Sequence, residues 1–326
     1  MNYRSLNDLS RLSTECASQI PDDIELVIGI PRSGMLVASI IALKQNLPLT
    51  DLYSFLRNDD LKKGHTRTYK HAELLKPMDA KKVLLVDDSI SSAKSMQAAL
   101  EQVRATYQGS VVTLAAFAER HNRHLVDMHL ELVEQPRVFE WNIMHHPFLA
   151  QACLDIDGVL CVDPTLEEND DGPNYRAFLT GTRSLFVPSV KVAHLVTSRL
   201  EKYRAETEEW LARNGVQYGT LHMLDLPTAE ERRRLNIHHK FKAEVYAKQP
   251  LARLFVESEV KQAVEIMRLS GKPVYCIETN EMYVPGQVYN LKANALRKSY
   301  SLKAKLAGKA RSVLSKWAPA APSSKG

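Results

Sequence analysis

Twice in this chain a short apolar run ends in paired acids and passes at once into a small-residue loop: VLLVDDSISSAKS, Val83 to Ser95, and CLDIDGVLC, Cys153 to Cys161. A continuous apolar run of this length, without polar alternation, reads as a strand buried on both faces. Such a strand needs helices above and below it, which restricts the fold to a largely parallel α/β sheet. Acids at the end of the strand then fall on the carboxyl edge, where open α/β sheets bind their ligands.

The flanking sequence supports that reading in two series. From Glu25, ELVIGIPRSGMLVASIIALKQNLPL gives a strand, a turn at Pro31 to Gly34, and an apolar helix. LTDLYSF, Leu49 to Phe55, is strand-like, and RNDDLKKGHTRTYKHAELLKP is a long polar, basic loop. A helix is predicted from Ser92 to Thr106, followed by the strand SVVTLAAFA. The second series begins with ACLDIDGVL. It continues with KVAHLVTSR as strand, LEKYRAETEEWLARNG as helix, ARLFVES as strand, EVKQAVEIMRLSG as helix and KPVYCIE as strand, with Gly215 and Gly271 at expected helix ends. Two α/β domains are therefore expected, residues 1–145 and 146–288, with a tail over 289–326.

With 326 residues and 44% hydrophobic content, the chain can fill a core in each domain. No stretch has the roughly 18 apolar residues of a membrane span. The start MNYRSLNDLSRLSTEC lacks the apolar core of a secretion signal, so the expected location is the cytoplasm. Cys16, Cys153, Cys161 and Cys276 show neither metal-type nor redox-type spacing and read as packing residues. The net charge of +5 is uneven, because the stretch from Leu291 onward is rich in Lys and Arg and has no acid. That stretch reads as a basic amphipathic helix with Leu291, Leu296, Leu302, Leu306, Val313 and Trp317 available for an apolar stripe. It suits an anionic membrane surface and equally suits a solvated terminal helix. The absence of interleaved aromatics argues against nucleic acid. Nothing in the sequence sets the oligomeric state.

Each acid pair has a chemical reading. Asp87 and Asp88 at a strand end can accept hydrogen bonds from a sugar diol, and the amides of the following helix can hold a phosphate. A ribose 5-phosphate satisfies both. Here the sequence resembles the type I phosphoribosyltransferase family. The resemblance implies 5-phosphoribosyl-1-pyrophosphate (PRPP) as donor, Asp87 and Asp88 on its ribose, and Ser91, Ser92, Ala93, Lys94 and Ser95 as the 5-phosphate loop. It also implies Pro31, Arg32, Ser33 and Gly34 as the pyrophosphate loop, and a mobile flap carrying Lys62, Lys63, His65 and Arg67. Two positions depart from the family: Ala93 stands where Gly is usual, and Ser91 stands where purine-salvage members carry an Asp. The latter points away from a purine acceptor. For a hydroxyl acceptor, Glu140, His145 and His146 are candidate bases.

Asp155 and Asp157, one residue apart, can project into one site. They resemble motif I of the haloacid dehalogenase superfamily, which implies Asp155 as nucleophile and Asp157 as acid/base. The resemblance extends to Thr197 as motif II, Lys242 ahead of Lys240 as the motif III lysine, and Glu257 as the motif IV acid, where Asp is more usual. Asp155, Asp157 and Glu257 would hold Mg2+. The short segment between Asp157 and Thr197 implies a small cap. Alone, each pair also fits a bland reading, an acidic strand end for the first and a calcium loop or exposed turn for the second.

The combination is similar to bacterial glycan phosphoribosyltransferase and phosphatase systems over residues 20–285. It implies transfer of 5-phosphoribosyl to a glycan acceptor, lipid-linked, followed by removal of the 5-phosphate. The competing readings are a salvage enzyme joined to a nucleotidase and a PRPP-sensing regulator with decayed catalysis.

Overall fold

A computed structural model describes residues 1–62, 64, 68 and 70–287. The flap residues Lys63, His65 and Arg67 and the expected basic helix from Leu291 lie outside the described residues. The chain divides into two compact units, Met1–Ala150 with Val187–Lys191, and Gln151–Phe186 with the chain from Val192 onward.

In the first unit, β1 (Asn2–Arg4) pairs with β7 (Arg137–Phe139), apart from a five-stranded parallel sheet. That sheet contains β2 (Leu26–Gly29), β3 (Leu49–Asp51), β4 (Lys82–Ser89), β5 (Ser110–Ala118) and β6 (Met128–Leu132), in the spatial order β3-β2-β4-β5-β6. Side chains alternate between the sheet faces, so each strand feeds two cores. Val27, Leu84 and Val86 pack with Leu9, Leu12, Val37 and Ile41 of α1 (Leu6–Glu15) and α2 (Ser33–Gln45). Leu26, Ile28, Val83 and Leu85 pack with Leu52, Phe55, Met96 and Val103 of α3 (Leu52–Leu56) and α4 (Lys94–Thr106). The strand-like segment at Leu49 breaks earlier than its apolar pattern suggests. Asp51 accepts the Tyr53 and Ser54 amides at 2.9 and 3.1 Å, and this N-cap turns the chain into α3.

The second unit has a six-stranded sheet in the order β10-β9-β8-β11-β12-β13. Its strands are β8 (Ala152–Leu154), β9 (Val192–Leu200), β10 (Tyr218–Leu224), β11 (Leu254–Glu257), β12 (Val274–Cys276) and the antiparallel β13 (Glu281–Tyr283). Between β8 and β9 stands α5 (Pro173–Gly181), whose Tyr175, Phe178 and Leu179 pack on Leu200, Tyr203 and Leu224. The remaining helices are α6 (Arg204–Arg213), α7 (Ala229–Leu235), α8 (His238–Lys248) and α9 (Val260–Ser270). Gly271 ends α9 at φ 68° and Gly215 follows α6 at φ 69°, the left-handed geometry that glycine accepts without a Cβ clash. β10 and α7 are not evident in the sequence, because His222 and Gly219 interrupt the apolar pattern of the one and α7 carries a run of charges.

Candidate active sites

In the first unit the sheet order reverses between β2 and β4, and the loops leaving both strands meet at that carboxyl edge. The Ile30 amide donates to the Val86 carbonyl at 2.9 Å, which seats the Pro31–Gly34 turn beside Asp87. A Cβ on Gly34 would stand 2.7 Å from the Val86 carbonyl oxygen and 3.0 Å from Asp87 Cα, so only glycine allows this approach. The Pro31–Arg32 peptide is cis.

Asp87 and Asp88 are both buried. Asp87 Oδ1 accepts the Asp88 amide at 2.8 Å, and Asp88 Oδ2 accepts the Trp141 indole N–H at 2.9 Å. Trp141 is held in turn by stacking on Phe139, centroids 5.0 Å apart, which stacks on Phe117 at 4.8 Å. Burial and the adjacent Asp88 charge push the Asp87 carboxyl up to about 7.

The loop after the acids is anchored from behind. Asn122 Nδ2 donates to the Ile90 and Ser91 carbonyls, and Arg137 donates to the Ile90 carbonyl at 2.6 Å. Ser91, Ser92, Lys94 and Ser95 remain exposed. Ala93 forms the N-cap of α4 at φ 55°, a left-handed conformation costing a non-glycine residue roughly 1–2 kcal/mol. Neither α2 nor α4 has a side-chain N-cap, so their first-turn amides are available to anions along the same edge. The three residues considered as bases each have local partners. Glu140 accepts the Leu6 amide at the start of α1, His146 Nδ1 accepts the Phe148 amide, and His145 Nδ1 lies 3.1 Å from Ser189 Oγ.

In the second unit the order reverses between β8 and β11, and Asp155 follows β8 at that point. Lys242 is buried, with Nζ 2.6 Å from Asp155 Oδ2, 2.7 Å from Glu257 Oε2 and 3.1 Å from Gln262 Oε1. Lys240, two residues earlier on α8, is exposed. Burial pushes the Asp155 carboxyl up to about 8 against the pull of the Lys242 ammonium, and the charges of Glu257 and Asp157 add to the push. Asp157 is gripped by Arg199, with Nη2 at 2.6 Å and Nε at 3.2 Å. Burial opposes its charge, yet the guanidinium holds it below the usual carboxylate range.

Asp155, Asp157 and Lys242 line a cavity of about 740 Å3 together with Asp163, Ser198, Arg232, His238 and Glu259. Two of the expected site residues lie behind this wall. Thr197 is fully buried and accepts the Arg199 amide at 3.2 Å, while its neighbour Ser198 reaches the cavity. Glu257 is also fully buried; its Oε1 accepts the Ser258 amide and its Oε2 takes Lys242, so it orients the lysine. Arg199, Asp163, Glu259 and Arg232 escaped the sequence reading. Only Arg199 left a local signal, two residues beyond Thr197 on the same strand.

A parallel α/β unit with an acid pair and two uncapped helix N-termini at its switch point offers the groups that a phosphorylated sugar would need. Residues 2–151 match the family described as the phosphoribosyl transferase domain. Over 137 residues the chain is 30% identical to the bifunctional protein PyrR of Corynebacterium diphtheriae, covering 37% of this chain and 72% of that protein. The transcriptional regulator GfcR of Archaeoglobus fulgidus is 27% identical over 136 residues, 39% of this chain and 67% of that one. Among solved structures, the xanthine-guanine-hypoxanthine phosphoribosyltransferase of Helicobacter pylori is 19% identical, covering 44% of this chain and 92% of that one, with a TM-score of 0.33. The chain belongs to the phosphoribosyltransferase family through residues 2–151, with PRPP as the ligand that suits this domain. No helix among the described residues is long and apolar enough to cross a membrane.

Proposed function

We propose that the chain is a bifunctional enzyme, transferring 5-phosphoribosyl from PRPP to a lipid-linked glycan in the domain 1–145 and removing the 5-phosphate in a haloacid-dehalogenase-type domain, 146–288. The product is an unphosphorylated ribofuranosyl residue. The observation that carries the second half is Lys242 bridging Asp155 and Glu257 beside a cavity that Asp155 and Asp157 also line. The sheet order supports it, since the strand before Asp155 is central and neighbours the strand that ends in Glu257.

In the transfer step the acceptor oxygen bonds C1 of PRPP as the bond from C1 to pyrophosphate breaks, and the acceptor proton passes to a base. Asp87 and Asp88 hold the ribose diol, the amides from Ser91 to Ser95 hold the 5-phosphate, and the Pro31–Gly34 turn with Arg32 receives the leaving pyrophosphate. In the hydrolytic step Asp155 attacks phosphorus while the ester oxygen leaves with a proton, and water then releases the phosphate. The pair with Arg199 keeps Asp157 ionised, the form that takes a proton from that water; its earlier role as acid requires this pair to open.

The donor chemistry suits Mg2+: Asp155, Asp157, Asp163 and Glu259 line the cavity with hard carboxylate oxygens, and the Asp155 carboxyl, raised first by burial and then by the Glu257 and Asp157 charges, would be held ionised beside a divalent cation. Asp155 and Asp157 would hold the ion, with Glu257 acting through Lys242. When bound, the ion supplies positive charge for the phosphoryl group. The acceptor reading rests on the joining of the two chemistries, and the basic stretch over 289–326 suits the inner face of an anionic membrane in the cytoplasm.

A second reading, a PRPP-responsive regulator, is favoured by the relative named a transcriptional regulator and by Ala93 at a position of positive φ. Incubation of the full chain with PRPP and Mg2+ against nucleobases and lipid-linked glycans separates the readings. Pyrophosphate release is expected with a glycan alone. Rapid release with any nucleobase contradicts the glycan assignment, and no release with either favours the regulator.

A further inference from the structure

Arg232 on α7 is a buried cation that lines the Asp155 cavity and is 6% exposed. Its Nη1 donates to the Ser198 carbonyl at 2.8 Å, and its Nη2 reaches Asn169 Oδ1 at 3.4 Å. Both acceptors are neutral. Its Nε makes no hydrogen bond within the described residues, and no ion pair among them includes Arg232. A buried charge is costly unless a counter-charge or ligand meets it. Two other charged groups on the wall are matched in direct ion pairs, Lys242 by Asp155 and Glu257, and Asp157 by Arg199.

A second polar group on the same wall also lacks a partner. Ser198 Oγ is buried and makes no hydrogen bond among the described residues, and Ser198 is the residue whose carbonyl anchors Arg232. Ser198 and the Arg232 side chain are thereby held together at one wall of the cavity. His238 lines the same cavity, and burial together with Arg232 and Lys242 pushes its ring down to about 4. The imidazole is therefore neutral near pH 7 and leaves Arg232 as the charged donor of that corner. Guanidinium N–H groups in a fixed plane suit phosphate oxygens.

We propose that Arg232 and Ser198 form an oxyanion subsite of the Asp155 cavity that binds phosphate oxygens of the substrate. The phosphatase reading supplies the identity of that substrate, whereas the anion subsite is a separate claim. The phosphate bound there is either the group cleaved at Asp155 or a second phosphate on the leaving group.

Amide hydrogen exchange on the full chain, with orthophosphate as probe, reads this subsite apart from the PRPP site. Phosphate is expected to slow exchange over residues 196–199 and 229–238. In Arg232→Gln the apparent affinity at these segments falls roughly 10- to 100-fold, the loss of a charge-assisted hydrogen bond, and Arg232→Lys restores part of it. Exchange in α9 without phosphate reports folding, and Ser198→Ala provides a milder variant with a several-fold loss. No phosphate-dependent protection of these segments in the unmodified chain, or unchanged affinity in both Arg232→Gln and Ser198→Ala, overturns the proposal. Arg232-dependent binding in a chain that hydrolyses no phosphomonoester leaves the subsite standing and sinks the phosphatase reading. Comparing kcat/KM for ribose 5-phosphate and ribose 1,5-bisphosphate assigns the source. Equal losses in Arg232→Gln identify the cleaved group, a loss confined to the bisphosphate identifies the leaving group, and no loss with either contradicts the proposal.

Discussion

Asp87 stands in an acid pair whose charge the fold disfavours until a ligand arrives. Its folded value of about 7 exceeds the ordinary 3.8, so between these values the folded chain holds a proton that the unfolded chain has lost. The stability contributed by this group is therefore fully present below pH 3.8 and is lost as pH rises through about 7. Asp87→Asn removes the Asp87–Asp88 repulsion, and at pH 8 it should raise stability by about 1–4 kcal/mol while weakening PRPP binding. Denaturant titrations at several pH values check this, and an Asn variant with the same pH slope as the unmodified chain contradicts it. The acid pair was legible in the sequence because it follows directly from one strand. Trp141, which donates to Asp88 from 53 residues away, was not, because only the packing of Phe117, Phe139 and Trp141 brings it there. Arg232 was hidden for the same reason, reaching the second site from a helix whose charge run looks like a solvated face.

Among the elements, the junction of α2 with β4 sets the geometry of the first site. Gly34→Ala places a methyl group against the Val86 carbonyl and Asp87 Cα, both backbone atoms that cannot rotate away. The helix must then withdraw from the acid edge, and PRPP affinity should fall at least about tenfold, an energetic penalty of about 1.4 kcal/mol. Calorimetric titration with PRPP tests this, and unchanged affinity would show that the turn has slack. Strand alternation explains what the motifs could not reveal in the second unit. The sequence places Thr197 and Glu257 at strand ends but does not state which residue of each end faces the cavity. The structure gives that position to Ser198 and Ser258, the next residue along in each case, with Thr197 and Glu257 turned inward. The strand–helix alternation itself was readable, since β4 and β11 carry unbroken apolar runs, β5 keeps its run across the single Thr113, and β9 is apolar on both sides of His194, whereas β10 and α7 carry more polar or small residues that conceal them.

At the scale of the whole molecule, each unit has its own sheet, its own core and its own acid pair at a switch point. Two chemistries in one chain should then be separable by substitution, because each site is built from residues of one unit. Orthophosphate release from ribose 5-phosphate with Mg2+ tests this claim most directly. The unmodified chain and the Asp87→Asn, Asp88→Asn double variant are expected to release phosphate at similar rates, and Asp155→Asn to release none above background. Equal release by Asp155→Asn, or no release by the unmodified chain, would contradict the account.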